Sequence, residues 1–577
     1  MLKIRFGKNI WHRQPEVMSW GAYAILSLGF SVTILGSAAS TMPGYGADST
    51  MHLWFLEWFP HALMHGLNPW VTNLPAYPYT ANLLWNNADW LLAWVSWPFI
   101  TWVGGVKFMD AIYILAPILA AGLMAQVLRH HFSAKSAWLG GAWFGFAPFV
   151  LSEMAAGHLA WILSASLPLG WLWGRRWVLA VTKGNRSWGW GLGLGFWVVL
   201  QYWVSKELLT TTMLLAVLVG IIYGRRVGHW VNQHRQAVGS SLGLGLGVAL
   251  LFLGYPVWMQ LSFPHGLRST MYISPQLTSM DLLAWFIPGY SQALTTPALL
   301  AIAKHFTGTF LEVDGYVGIP LLGVVIAVII NGWRLPTVRW GLVLVGLGGV
   351  FSLGSHLHVA GHILPIPLPW DLFAHLPILN KVIPSRMFLF AIIGIAVLLA
   401  WGFDNLRLGR RVQVALVVLM AATIFPSYGI LQGEVGSPLT VPQVINSPLI
   451  RDLQPSQVLV TIPISTVNDH ALEMYWQILR GFNFKAPFGV VQVLHHGVFT
   501  NPAPDSALGR YLFDLTVHTT PRGFNNQQLR QELGNWHVHL LVLVPQTGYQ
   551  NSLRDLESWL GTPTRVVQGA AVWINPR

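Results

Sequence analysis

Apolar runs of about twenty residues recur along the first three quarters of the chain, separated by short segments that carry Arg and Lys. Because about 20 apolar residues make a helix long enough to cross the hydrocarbon core of a bilayer, these runs predict membrane-spanning helices. The runs are roughly 17–39, 107–128, 137–151, 158–174, 188–204, 208–223, 238–258, 313–331, 340–354, 387–403 and 412–428. The pattern predicts a polytopic α-helical membrane protein with about eleven spans.

The basic residues indicate how these spans are oriented. If the N-terminus is cytoplasmic, 18 of the 33 Lys and Arg residues lie in inside segments, and six lie in outside loops before residue 430. Cytoplasmic loops are enriched in Lys and Arg, so this orientation is favoured. Residues 89–106 are also apolar, but counting them as a span would place basic loops outside. We therefore predict a helix that lies at the outer membrane surface or re-enters it.

The composition changes near residue 432, where charged residues become more frequent and the apolar runs shorten. The segments VLVTIPI (458–464) and HVHLLVLVP (537–545) resemble strands, and HALEMYWQILRGF (470–482) has a helical pattern. Strands alternating with helices predict a small α/β domain. With an odd number of spans this domain, 431–577, is extracytoplasmic. The remaining 1–430 form a multi-pass module in the plasma membrane, in which 41–106 is a long loop, here called the first-loop segment.

Overall composition excludes several classes of function. Only 9% of residues are charged, against about 25% in soluble domains. The net charge of +12 does not indicate a nucleic-acid partner, because the basic residues flank the apolar runs. The absence of Cys excludes thiolate catalysis and disulfides. No repeat of fixed period is evident, which weakens the case for a transporter.

Unusual polar residues gather in loops on the predicted outer side. They are Asp48, Glu153, His158, Lys206, Glu207, Lys381 and Arg386. Ionisable groups near spans are costly and by default indicate a functional site. Asp48 is predicted to be a general base or a metal ligand, with an N-cap as the structural alternative. Glu153 is predicted as a second carboxylate with His158 as its polar partner; the alternative is an interfacial pair that is hydrogen-bonded to the backbone. His52, one helical turn from Asp48, is predicted to orient Asp48.

Two further sets have both a functional and a structural explanation. Glu57, His61 and His65 follow at i, i+4 and i+8 and, with Asp48, are candidate metal ligands; the alternative is the wet side of an amphipathic helix. The candidates for binding the substrate or its lipid phosphate are Arg386, Lys206, His158, Lys381 and His52. For Lys206 and Arg386 the alternative is a headgroup anchor, or for Lys206 a pair with Glu207. No cofactor follows with certainty, and a divalent metal such as Mg or Mn is left open.

The first-loop segment GADSTMHLWFLEWFPHALMHGLNPW and the later VIPSRMF resemble the GT-C superfamily of membrane glycosyltransferases, nearest to bacterial YfhO-like members. The resemblance covers about 15–430. It implies an outward-facing site, a sugar donor carried on polyprenyl phosphate, and direct displacement with inversion. Asp48 would match the first-loop catalytic acid and Glu153 the second-loop acid. The first motif is Ala-Asp-Ser, with neither a DxD nor an Asp-Glu pair, which leaves metal dependence open.

The expected activity is therefore transfer of a sugar from a polyprenyl-phosphate donor to an acceptor hydroxyl on a glycan, lipid or protein, with Asp48 as base. Two alternatives come from other classes. One is a transporter or flippase of lipid-linked sugars, which should carry charges at mid-bilayer and internal repeats. The other is a non-enzymatic scaffold for envelope assembly, which would act through the C-terminal domain.

Overall fold

A computed structural model of the chain shows the arrangement of most residues. It describes 14–34, 41–86, 88–262, 270–271, 274, 276–308, 312, 314–426, 437–464, 471–496, 498–500, 506–519 and 521–576. The membrane module is helical, and each apolar run predicted from the sequence coincides with one or two helices over the residues that are described; 35–39, 313 and 427–428 of these runs lie outside them. The helices are α1 (Gln14–Ile34), α2 (Ala47–Met64), α3 (Trp90–Val103), α4 (Gly105–Leu128), α5 (Ala134–Phe146), α6 (Pro148–Ala155), α7 (Leu159–Ile162), α8 (Ser166–Thr182), α9 (Ser187–Val204), α10 (Lys206–Ile222), α11 (Gly224–Gln233), α12 (Arg235–Ser262), α13 (Pro297–Ala303), α14 (Ile319–Gly332), α15 (Pro336–Ser352), α16 (Asp371–Ala374), α17 (Phe388–Asn405) and α18 (Arg410–Ile424).

Several of these helices have the length and apolarity that a membrane crossing needs. Among the described residues these are Gly105–Leu128, Arg235–Ser262 and Pro384–Asn405. The pair α10 and α11, bent by 91° at Tyr223, is a further candidate if counted as one span. The chain is thus a membrane protein, while the number of eleven spans and their orientation stay predictions.

Small residues allow the helices to approach one another closely. On α9 and α12, a Cβ added at Gly195 would collide with the backbone carbonyl of Gly245. On α15 and α17, a Cβ at Gly348 would meet the backbone nitrogen of Ala391. In a membrane the hydrophobic effect does not drive helices together, so they associate through close backbone contacts of this kind. The glycine-rich runs are therefore packing surfaces.

The first-loop segment contains α2, α3 and a short antiparallel pair, β1 (Val71–Thr72) with β2 (Ala81–Asn82). Helix α2 is buried along most of its length. Helix α3 differs, since Trp94, Phe99 and Trp102 are exposed, Trp102 by 85%. An apolar helix with exposed Trp and Phe suits the membrane interface. Its position in the bilayer stays a prediction.

The C-terminal segment contains a four-stranded sheet with the order β5 (Arg565–Val567), β6 (Ala570–Ile574), β4 (Val538–Leu543), β3 (Val458–Ile462). Strands β3 and β4 are parallel, and β6 is antiparallel to both of its neighbours. The helices in this part are α19 (Pro448–Arg451), α20 (Leu472–Leu479), α21 (Ala507–Thr516), α22 (Asn526–Asn535) and α23 (Tyr549–Leu560). Both faces of this sheet are covered, and its strands accordingly consist largely of apolar residues such as Val460 and Leu541.

The first-loop segment and the C-terminal segment are joined by buried hydrogen bonds. The side chain of Gln477 on α20 accepts from Trp54 Nε1 at 2.9 Å and donates to the Leu74 carbonyl at 2.8 Å. Asn86 and Gln492 bond to each other in both directions, at 2.7 and 3.3 Å. Buried polar groups are costly unless they are paired, so these bonds fix the two segments against each other.

Candidate functional site

Two glycine turns bring the first-loop segment against the segment between α6 and α7. Gly44 and Gly157 have φ values of +85° and +82°, which side chains rarely adopt. A Cβ on Gly44 would lie 2.6 Å from the Gly157 Cα, and Tyr45 N donates to the Ala155 carbonyl at 2.7 Å. Because only glycine permits this approach, the turns place the start of α2 beside the start of α7.

His158 lies at the centre of the resulting cluster of charges. Its Nδ1 is 2.7 Å from Glu153 Oε2, and its Nε2 is 3.0 Å from Asp48 Oδ2. Glu312 Oε1 lies 3.6 Å from the same Nε2. An imidazole whose two nitrogens both face carboxylates is most stable as the doubly protonated cation. The geometry thus makes His158 a buried positive charge.

The pKa values of the three groups follow from this geometry. Burial would lower the pKa of His158, but the charge of Glu153 and the hydrogen bonds with Asp48 and Glu153 raise it to about 10. Burial likewise opposes ionisation of Asp48, yet the hydrogen bond and charge of His158 hold the pKa of Asp48 below its usual value. Burial raises the pKa of Glu153, against the charge of His158. Asp48 is therefore ionised at neutral pH.

Asp48 differs from the other carboxylates in being accessible. Its side chain is 37% exposed, against 1% for Glu153, 11% for Glu207 and 13% for Glu312. The N-cap of α2 is Gly46, and the hydrogen bond of Asp48 goes to His158. The side chain of Asp48 therefore does not act as the N-cap of α2, which was the structural alternative. Within the cluster, Asp48 is the carboxylate most open to a substrate.

Arg386 supplies the second buried cation. Its Nη1 is 2.6 Å from Glu207 Oε2 and its Nη2 is 3.1 Å from Glu312 Oε1, and its guanidinium lies 5.2 Å from the ring centre of Trp161. Glu207 also accepts from the backbone nitrogen of Ile383 at 2.9 Å, just before the short helical turn that carries Arg386. Glu207 thus pairs with Arg386, and the alternative of a Lys206–Glu207 pair is not the contact observed.

The other predicted residues lie near this cluster but have different contacts. His52 Nδ1 is 2.5 Å from Asp89 Oδ2, so its contact is with Asp89, and a role for His52 in orienting Asp48 stays a prediction. Lys206 donates from Nζ to the Asn86 carbonyl at 3.2 Å. Lys381 lies over the ring of Trp85 at 5.6 Å. Lys206 and Lys381 therefore contact the first-loop segment near residues 85 and 86.

The candidate metal ligands of α2 are not brought together. Asp48 and Glu57 are nine residues apart, about 13 Å along a helix. Glu57 accepts from the backbone nitrogen of Gly105 at the start of α4, and His61 stacks on His65 with ring centres 4.1 Å apart. In the part of the chain that the structure describes, no three His, Asp or Glu side chains are arranged as metal ligands. This ligand set is corrected, and dependence on Mg or Mn stays a prediction.

Two acidic residues in the area were not selected from the sequence. Glu312 bridges towards both Arg386 and His158, and Asp89, which is 3% exposed, pairs with His52. Asp89 has a φ of +36° at the N-terminus of α3, a conformation that carries strain for a residue with a side chain. In the sequence each of them is a single acidic residue in a predicted outer loop, which is only a weak indication of a functional site.

No family model and no curated relative matches the chain. Solved structures do match. ArnT from Cupriavidus metallidurans bound to undecaprenyl phosphate is similar with a TM-score of 0.48 and 14% identity, covering 97% of this chain and 98% of that one. The archaeal oligosaccharyltransferase AglB from Archaeoglobus fulgidus, in complex with an inhibitory peptide and a dolichol-phosphate, has a TM-score of 0.47 and 11% identity, covering 92% and 69%. Both likenesses are low in identity and in TM-score, and the resemblance to the YfhO-like group stays a prediction.

Proposed function

We propose that the chain is a membrane glycosyltransferase that moves a sugar from a polyprenyl-phosphate donor to an acceptor hydroxyl, in the plasma membrane and at its outer face. The sugar is transferred by direct displacement with inversion, and Asp48 is the base. The observation that carries this proposal is an accessible, ionised carboxylate, Asp48, that pairs with the buried cation His158, together with a second buried cation, Arg386, that is linked to His158 through Glu312. These groups come from three distant parts of the sequence.

The charges suit the two ends of such a displacement. The acceptor oxygen forms a bond to the anomeric carbon while the bond from that carbon to the phosphate oxygen breaks. The leaving phosphate keeps the electron pair and gains negative charge. In this proposal Arg386 binds the lipid phosphate and stabilises that charge. The acceptor hydroxyl gives its proton to Asp48. Because that hydroxyl becomes strongly acidic as it bonds to carbon, a carboxylate with a low pKa is sufficient.

The role that we propose for Glu153 follows from its burial and from its contact with His158. It is 1% exposed and contacts His158, so it cannot touch a substrate without a rearrangement. Buried carboxylates that bond to a histidine fix the orientation and charge of the ring. We therefore assign Glu153 as a positioning residue that keeps His158 protonated. His158 in turn keeps Asp48 ionised and holds the Asp48 carboxylate towards α7.

The experiment uses a readout that does not require the sugar to be known. The purified chain in lipid vesicles is given a panel of undecaprenyl-phosphate sugars and an acceptor extract, and release of undecaprenyl phosphate is measured. Asp48→Asn is expected to lower the release at least about 100-fold, since a positioned base contributes about 10²–10⁴. The matched control is Asp371→Asn, which changes a 42% exposed carboxylate near His375 and should retain activity.

Wild-type release by Asp48→Asn would overturn the role of Asp48 as base. If the wild-type chain releases no lipid phosphate with any sugar of the panel, the transferase proposal itself is wrong. The alternatives of a flippase or a scaffold would then be tested by lipid movement across the same vesicles and by partner binding to 431–577.

A further inference from the structure

The carboxylate of Glu312 lies between the two buried cations of the site. Its Oε1 is 3.1 Å from Arg386 Nη2 and 3.6 Å from His158 Nε2. The Glu312 oxygen therefore lies where the electrostatic attraction of the Arg386 guanidinium and that of the His158 imidazolium add together. This place is where an anionic ligand of the site would be held most strongly.

The hydrogen bonds of Arg386 show that this place is only partly used. A guanidinium offers two-donor edges, and Nε and Nη2 form one of them, whereas Nη1 lies away from that edge. Glu207 takes Nη1 and Glu312 takes Nη2. Nε is buried and finds no acceptor among the residues that the structure describes. The edge formed by Nε and Nη2 is thus half-occupied, although Arg normally binds carboxylate or phosphate through both donors.

A phosphate group fits these donors better than the carboxylate does. Its oxygens are arranged tetrahedrally, so two of them can face Nε and Nη2 of Arg386 while a third faces His158 Nε2. We propose that Glu312 occupies the subsite of the donor phosphate, and that the phosphate replaces this carboxylate when the lipid donor binds. This inference rests on the function proposed above, and it assigns a role to a residue that no motif of the sequence indicated.

The Glu312 carboxylate and the donor phosphate are both anions, and the exchange of one for the other has two consequences for the reaction. While the site is empty, the Glu312 carboxylate compensates the charges of Arg386 and His158, which would otherwise be buried without an anion. After transfer, the released lipid phosphate is a monoester and carries more negative charge than the diester donor, so it would leave such a cationic site slowly. A carboxylate that returns to the same donors competes with it. Glu312 therefore weakens the binding of product and favours its release.

The test is equilibrium binding of undecaprenyl phosphate to the full chain in nanodiscs at fixed ionic strength, with undecaprenol as the uncharged lipid control. Glu312→Gln removes the competing charge and is expected to tighten binding about tenfold. Glu207→Gln is the matched control, since it removes an equal charge from the other side of Arg386. It leaves the Nε and Nη2 edge occupied as before, so the lipid phosphate should bind no more tightly than to wild type.

Two results would overturn the inference while leaving the transferase proposal standing. One is a wild-type chain that binds undecaprenyl phosphate while Glu312→Gln binds it equally or less well. The other is an equal gain in both variants, which would mean that only net charge matters. Failure of wild type and both variants to bind the lipid phosphate at all would overturn the proposed function together with the inference.

A second measurement uses only the wild-type chain, so it does not depend on the folding of a variant. A structure with undecaprenyl phosphate bound should show the phosphate within hydrogen-bond distance of Arg386 Nε and Nη2. The Glu312 carboxylate should then lie beyond that distance from Nη2. A bound phosphate elsewhere, with the contact between Glu312 and Arg386 kept at about its present 3.1 Å, would overturn the proposal.

Discussion

Changing Glu153 to Gln should move the alkaline limit of activity towards neutral pH. The substitution keeps the size of a buried side chain and removes the charge that faces His158 Nδ1 at 2.7 Å. That charge is the main factor raising the pKa of His158 to about 10, against the effect of burial. The pH dependence of transfer should therefore report on Glu153 although Glu153 does not touch the substrate.

The size of the shift follows from the contact that is lost. A hydrogen bond to a charged group contributes about 1.5–3 kcal/mol, and about 1.4 kcal/mol corresponds to one pKa unit. The pKa of His158 should thus fall by about one to two units, to about 8–9. His158 is charged below its pKa and neutral above it. Activity that needs this cation is full below the pKa and is lost as the pH rises through it.

Initial rates of undecaprenyl phosphate release between pH 6 and 10.5, at constant ionic strength, would measure this. Wild type should keep its rate up to about pH 10, and Glu153→Gln should lose activity from about pH 8–9 upwards with a similar plateau below. Asp371→Asn shows any change caused by the assay alone. An alkaline limit that stays at the wild-type pH in a folded Glu153→Gln protein would refute the assignment of Glu153 as the group that keeps His158 protonated.

Two further substitutions test the framework around the site by thermal unfolding. Gly195→Ala places a methyl group against the Gly245 carbonyl and should lower stability by about 1–3 kcal/mol, whereas Gly193→Ala on the same helix has its nearest contact at 3.6 Å and should be close to neutral; equal effects would contradict the close packing of α9 on α12. Gln477→Ala leaves Trp54 Nε1 and the Phe484 carbonyl without their partner, so it should lower the free energy of unfolding by about 1–3 kcal/mol per group. It should also make 431–577 more sensitive to protease. The control is Gln528→Ala, which removes one exposed hydrogen bond to Glu532. Equal protease sensitivity in the two glutamine variants would argue against the attachment.

The helices and the gathering of polar residues could be anticipated from the sequence because both depend on local patterns. An apolar run of sufficient length is helical in a membrane regardless of its neighbours, since every backbone group must be paired internally. Asp48, Glu153, His158 and Arg386 stood out as ionisable residues next to such runs. The structure brings these four together in one cluster.

The partner of each charge could not be anticipated. Helical spacing places His52 one turn from Asp48, yet Asp48 turns towards His158 and His52 towards Asp89, because side chains in one turn need not share a partner. Glu312 stands in a stretch of sequence without a helical or strand period, and its contact with Arg386 spans 74 residues. Long-range pairing of this kind depends on the tertiary fold, which no local pattern encodes.

The bond between Trp54 and Gln477 also has a consequence for biosynthesis. The two residues are 423 positions apart in the chain. At about 5–20 residues per second, a ribosome needs on the order of 20–80 s to synthesise the part between them. Until then the helix that carries Asp48 lacks one of its buried partners. The newly made protein therefore completes the packing around the candidate site only after Gln477 has been translated, and a chain truncated before Gln477 is not expected to show the proposed activity.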